Sequence, residues 1–165
     1  MREANHIRDT IRREILVSGI SNAFFNGLIA WLLLRAGDNL TLTGEHSYAI
    51  DVAATAFILP FIVTLIVIPL NQRKLAAGKL AGIQLDPGHC LGASLMRFPA
   101  GLWSRALSFG SLTMLIVTPL TLLPLWVLGL HEFTPVAYAL FKGVWAGLVA
   151  AALTTPMLLL ALQET

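Results

Sequence analysis

The chain has 165 residues, of which 56% are hydrophobic and only 12% are charged. A soluble globular domain carries about 25% charged residues, because its surface faces water. The composition therefore excludes an ordinary soluble domain. It predicts an all-α integral membrane protein, a four-transmembrane-helix bundle that forms a single membrane domain over residues 1–165. The formal charge of +2 does not indicate a nucleic-acid partner, because the basic residues lie beside the ends of the hydrophobic runs.

Four apolar runs are each long enough to cross a membrane, which takes about 20 residues of helix. Helices are predicted instead of barrel strands, because the runs are continuous and lack the alternation of a barrel strand. The first run follows a basic leader. It exceeds the apolar region of a cleaved signal peptide, so we expect an uncleaved first helix. The predicted spans are residues 15–35, 48–70, 107–130 and 135–162.

Lysine and arginine residues near the helix ends predict the orientation, because short cytoplasmic loops are enriched in them. The leader carries four and the connection of residues 71–106 carries five, whereas the loop after the first span holds only Arg35. Both termini and the 71–106 loop are therefore predicted to be cytoplasmic. The general character of the chain favours a bacterial inner membrane. Within the loop, residues 90–105 mix apolar and basic side chains, which predicts either an interfacial helix or an irregular segment against the membrane.

Polar side chains within the spans form a candidate intramembrane site. Such side chains cost free energy in hydrocarbon, so each needs a partner or a purpose. Two asparagines four residues apart share a helix face, which predicts hydrogen bonds to a neighbouring helix or the lining of a solute path. An aspartate and a lysine are expected either to pair in the outer leaflet or to meet water and headgroups separately. The candidate residues are Asn22, Asn26, Asp51, Thr55 and Lys142.

Small residues in the fourth span predict a helix-packing face made of Gly143, Gly147, Ala150 and Ala151. Small residues at four-residue spacing let another helix approach closely. The spacing does not specify whether that helix belongs to the same chain, to a second copy or to a larger membrane protein. The sequence contains no HExxH, GxSxG or phosphate-binding loop, so we predict no enzyme activity and no catalytic, metal or cofactor site.

Two functions are consistent with these features. In the first, the chain is a small permease or channel-like transport subunit. It would act as an oligomer, because four helices make a thin wall for a pore, and its polar side chains would face the path. In the second, it is an accessory membrane protein that binds and stabilises a larger membrane partner through the small-residue face and the cytoplasmic loop. Transport is favoured, because the polar sites exceed what packing requires.

Overall fold

The computed structural model describes residues 2–83, 88 and 90–163. The described residues contain four helices long and apolar enough to cross a membrane, which confirms the predicted four-helix architecture. These helices are α1 (Arg2–Leu34), α2 (Tyr48–Ala76), α4 (Leu102–Val127) and α5 (Pro135–Leu162). The remaining elements are β1 (Leu40–Thr41), the short helix α3 (Cys90–Met96) and β2 (Glu132–Phe133).

The helix boundaries differ from the predicted spans mainly where charged residues flank an apolar run. α1 includes the basic leader, and α2 continues beyond residue 70 to Ala76. Arginine, lysine and glutamine are good helix formers, so the helix continues through them. A fall in hydropathy therefore marks the end of the apolar segment and not the end of the helix. α4 begins and ends earlier than the predicted 107–130. α5 begins where predicted, because Pro135 occupies its first turn and the Thr134 hydroxyl accepts a hydrogen bond from the Ala137 amide at 3.3 Å.

α5 and α2 are the inner helices of the bundle, and α1 is a peripheral one. α5 contacts both α1 and α2, and α2 contacts α4. In the most apolar stretch of α5, 50% of the residues are buried, against only 6% in α1. α1 is therefore attached to the bundle mainly through α5, and most of its surface faces outward.

Small residues allow the backbones of α1 and α5 to come into direct contact. A Cβ atom built on Gly143 would lie 2.9 Å from the carbonyl oxygen of Ala23. One built on Gly147 would lie 2.8 Å from the carbonyl oxygen of Gly19. α1 thus contributes its own small-residue stripe, which continues to Gly27, and the two stripes face each other.

This contact identifies the helix that covers the predicted packing face as α1 of the same chain. Gly143 and Gly147 lie directly against α1, and Ala151 lies near Gly19. Ala150 is also buried, but it belongs to the main hydrophobic cluster of the bundle.

The two ends of the bundle differ in their connections. At one end, β1 and β2 pair antiparallel and join the α1–α2 loop to the α4–α5 loop. The Tyr48 hydroxyl adds a second tie there by donating to the Leu130 carbonyl at 2.6 Å. At the other end, the Ile83 amide donates to the Leu162 carbonyl at 2.9 Å, beside the start of α1. We call these the sheet end and the terminal end.

The short helix α3 lies within the long connection at the terminal end and is folded onto the bundle. Leu95 is buried, and the ring of Phe98 packs 4.8 Å from that of Phe109 in α4. Part of the connection is therefore helical. The exposed indole of Trp103 follows at the start of α4.

We predict that Gly147→Leu weakens the fold. The new side chain would have to occupy space held by Gly19 and Ala23, and overpacking of this kind costs about 1–3 kcal/mol. Val144→Leu introduces the same side chain one turn away on an exposed face and serves as the control. The measurement is the free energy of unfolding in mixed micelles. Equal stability of the two variants would contradict the contact described here.

Candidate functional site

Asp51 and Lys142 form an ion pair near the sheet end. The Lys142 Nζ donates to both carboxylate oxygens of Asp51, at 2.7 Å from Oδ1 and 2.6 Å from Oδ2. The Tyr138 hydroxyl donates to the same Oδ2. The structure therefore brings the two charges together, as one of the two sequence hypotheses expected. It also adds a phenol that sequence analysis did not single out.

Helix position explains how the three side chains meet. Asp51 lies in the first turn of α2, where the positive end of the helix dipole stabilises a carboxylate. Tyr138 and Lys142 are four residues apart and therefore share one face of α5. Tyr138 is fully buried among aromatic rings, and a buried hydroxyl needs a hydrogen-bond partner, which the carboxylate supplies. A tyrosine one turn before an intramembrane lysine is the signal that could have revealed it.

The carboxylate is the accessible member of the ion pair. The Asp51 side chain is 39% exposed, whereas that of Lys142 is 13% exposed. The ammonium thus lies behind the carboxylate, against α5. Asp51 also forms part of the walls of two cavities, one between α1 and α2 and one beneath the loops of the sheet end. A molecule in either cavity would meet the aspartate.

The first cavity is a groove between α1 and α2, which we call the lateral groove. It is lined by residues of α1 between 14 and 29 and residues of α2 between 51 and 70. Its volume of about 540 Å³ lies within the range of small-molecule sites. Several wall residues are half exposed on the outside of the molecule, including Phe25 at 58% and Ile62 at 48%. The groove therefore opens sideways.

Polar residues of α1 form a row along the lateral groove at four-residue spacing, from Glu14 through Ser18 and Asn22 to Asn26. The Asn22 amide nitrogen donates to the Ser18 carbonyl at 2.8 Å, and that of Asn26 donates to the Asn22 carbonyl at 3.0 Å. Because these carbonyls can only accept, each amide turns its nitrogen toward its own helix and leaves its oxygen available. Within the described residues neither asparagine side chain bonds to another helix. Both present hydrogen-bond acceptors to the groove.

A second ion pair lies at the terminal end of the groove, and the sequence analysis did not identify it. The Lys74 Nζ lies 2.6 Å from Oε1 of Glu14 and 3.3 Å from Oδ1 of the buried Asn71. Along α2, Asp51 and Lys74 are about 35 Å apart at roughly 1.5 Å per residue. The two ion pairs thus stand about one hydrocarbon thickness apart. The extension of the polar row of α1 to Glu14 is the signal that could have indicated this pair.

The second cavity, which we call the loop pocket, has a volume of about 310 Å³. It is lined by the end of α1, by the α1–α2 loop and by the Asp51–Lys142 pair. Asp38 and Glu45 of the loop also line it. Carboxylates therefore outnumber ammonium groups in its wall by three to one.

The predicted polar site is largely one surface. Asn22, Asn26, Asp51 and Thr55 all line the lateral groove, and Thr55 lies one turn after the aspartate. Lys142 reaches this surface from α5 through its bond to Asp51 and lines the loop pocket.

No protein-family model, curated protein or solved structure matches this chain. Among the residues that the structure describes, no group of three or more His, Cys, Asp or Glu side chains could hold a metal ion. What the site can do must therefore be inferred from its own geometry and charge.

We predict that Lys142→Met destabilises the protein more than the double variant Asp51→Asn with Lys142→Met. Removing the lysine alone leaves a carboxylate without its countercharge, at a cost of about 1–3 kcal/mol. Removing both charges relieves that cost. A double-mutant cycle on the free energy of unfolding measures the coupling. Additive single effects would show that the two side chains do not interact.

Proposed function

We propose that the protein is a small membrane transport subunit in which the lateral groove and the loop pocket form one path. The observation that carries this proposal is the position of Asp51 in the walls of both cavities. The polar row of α1 extends the path from this residue toward the terminal end, where the Glu14–Lys74 pair lies. A path of this length matches the hydrocarbon core of a bilayer.

In the proposed orientation, the terminal end faces the cytoplasm and the sheet end faces outward, in a bacterial inner membrane. The excess of lysine and arginine in the leader and in residues 71–106 supports this orientation. α3 and the exposed Trp103 would then lie at the cytoplasmic interface, where indole rings favour the headgroup region.

The Asp51–Lys142 pair would act as the binding point of the path. With the path empty, the ammonium neutralises the carboxylate, which lowers the cost of keeping a charge within a membrane helix. A solute with hydrogen-bond donors competes for the accessible carboxylate, whose Oδ1 accepts only from Lys142 among the described contacts. When the solute leaves, the original pair forms again.

A second copy of the chain would complete the path. The lateral groove is open on one side, so its polar row would otherwise lie against lipid, where unsatisfied polar groups are costly. The accessory function was predicted to use the small-residue face of α5 together with the cytoplasmic loop. Because α1 of the same chain covers that face, a larger partner would have to bind through the loop.

We predict that cysteines placed in the lateral groove react with a charged thiol reagent. In a Cys90→Ser background, Asn26→Cys and Thr55→Cys should react at least about tenfold faster than Leu120→Cys, because hydrocarbon raises the cost of forming the thiolate. Leu120 is exposed on α4, away from the groove, and provides the matched control. The measurement is the labelling rate in proteoliposomes. Groove cysteines as unreactive as the control would rule out a polar path.

We also expect the extracted protein to be a homo-oligomer. Native mass spectrometry after gentle extraction from the membrane would measure its mass. A stoichiometric complex with a different membrane protein would instead support the accessory function.

A further inference from the structure

We propose that the molecule carried along the lateral groove is an amphipathic organic cation, with an apolar or aromatic body and one positively charged group. This inference rests on the proposed function and specifies its substrate class. Three independent properties of the site support it, namely its hydrogen-bonding character, its charge and its apolar walls.

The lateral groove offers two amide oxygens that can only accept hydrogen bonds, beside the hydroxyls of Ser18, Ser21 and Thr55, which can accept as well as donate. The amide oxygens of Asn22 and Asn26 remain after their nitrogens bond to the helix backbone. The donors at the two ends of the groove are occupied, because Lys142 binds Asp51 and Lys74 binds Glu14. Such a surface complements a ligand that donates hydrogen bonds or carries positive charge.

The charge of the site favours the same ligand. In the loop pocket, Asp38, Glu45 and Asp51 contribute three carboxylates against the single ammonium of Lys142. At the junction of the two cavities, the carboxylate is exposed and the ammonium is covered. An anion entering from the sheet end would meet repulsion first, whereas a cation would be attracted toward Asp51.

The walls of the groove favour a ligand with a large apolar body. Ile58, Ile62 and Ile66 follow one face of α2 at four-residue spacing, opposite Phe25 and Ile29 of α1. All five are about half exposed on the outer surface. An inorganic ion or a sugar has no apolar surface to pack against these walls, whereas an apolar body gains van der Waals contacts along them. The ring of Phe25 also offers a π-face for a cation.

The junction of the two cavities gives such a ligand a way in. A cation that enters the loop pocket from the sheet end reaches Asp51, which lines both cavities. Its apolar body can then rest on the isoleucine wall while its charged group passes the amide oxygens of α1 along the groove. The second copy of the chain that completes the path would close the open side and hold the ligand against this wall.

The test is a comparison of two ions that have the same shape and opposite charge, tetraphenylphosphonium and tetraphenylborate. Equilibrium dialysis with the purified full-length protein in lipid nanodiscs, corrected by empty nanodiscs, measures saturable binding. We expect the phosphonium ion to bind and the borate ion not to bind. Asp51→Asn should weaken binding of the phosphonium ion about tenfold, because it removes the negative charge that attracts the cation.

Asn26→Leu provides a second variant that leaves the ion pair intact. It should weaken phosphonium binding severalfold by removing an amide dipole whose oxygen end attracts the cation, whereas Leu120→Ala on the far side of the bundle should leave binding unchanged. Binding of the borate ion in place of the phosphonium ion would overturn the cation assignment. The same holds if neither ion binds, or if neither groove variant alters phosphonium binding. Failure of the transport proposal is seen separately, in unreactive groove cysteines.

Discussion

The backbone contact between α1 and α5 is the constraint on which the rest of the structure depends. Lipid tails are as apolar as the side chains of a membrane helix, so helices associate there by close packing and hydrogen bonding. Glycine and alanine in both helices provide that packing, and they attach α1 mainly to α5. The small-residue stripe and the polar row of α1 are adjacent in sequence and hence about 100° apart around the helix. Because the small-residue stripe of α1 is fixed against α5, the polar row of α1 lies along the lateral groove.

Electrostatics then defines the limits of that groove. At each end of the groove a carboxylate is paired with a lysine, so each ion pair has no net charge. The pairs lie about one hydrocarbon thickness apart along α2, which is the separation expected of charges at the two surfaces of a membrane. Between them the polar groups are uncharged amides and hydroxyls, whose cost in hydrocarbon is lower. This change from charged to neutral polar groups is consistent with the path that we propose.

The sequence predicted the helices and their polar residues, but it did not predict which helices lie next to each other. Hydropathy located four helices, and depth along the second and fourth spans placed Asp51 and Lys142 within reach of each other. Hydropathy could not show that α1 extends through the basic leader, because helix propensity continues where apolarity stops. Periodicity placed Asn22 and Asn26 on one face, but it could not show that each bonds to its own backbone. Tyr138 and the Glu14–Lys74 pair were missed because their bonds join different helices. Four-residue spacing marks Tyr138 and Glu14 as candidates, but it does not show which helices are adjacent.

The order of α1 and α5 along the chain has a consequence for biosynthesis. Membrane helices are made and inserted from the amino terminus, so α1 enters the bilayer long before the helix that it packs against. Until α5 arrives, the glycines of α1 lack their partner and the carboxylate of Asp51 lacks its countercharge. Insertion of α5 supplies both at once. A nascent chain that stops before this helix would keep the contact of α2 with α4, but it would present an unpaired aspartate to the membrane, a feature by which quality control can recognise it.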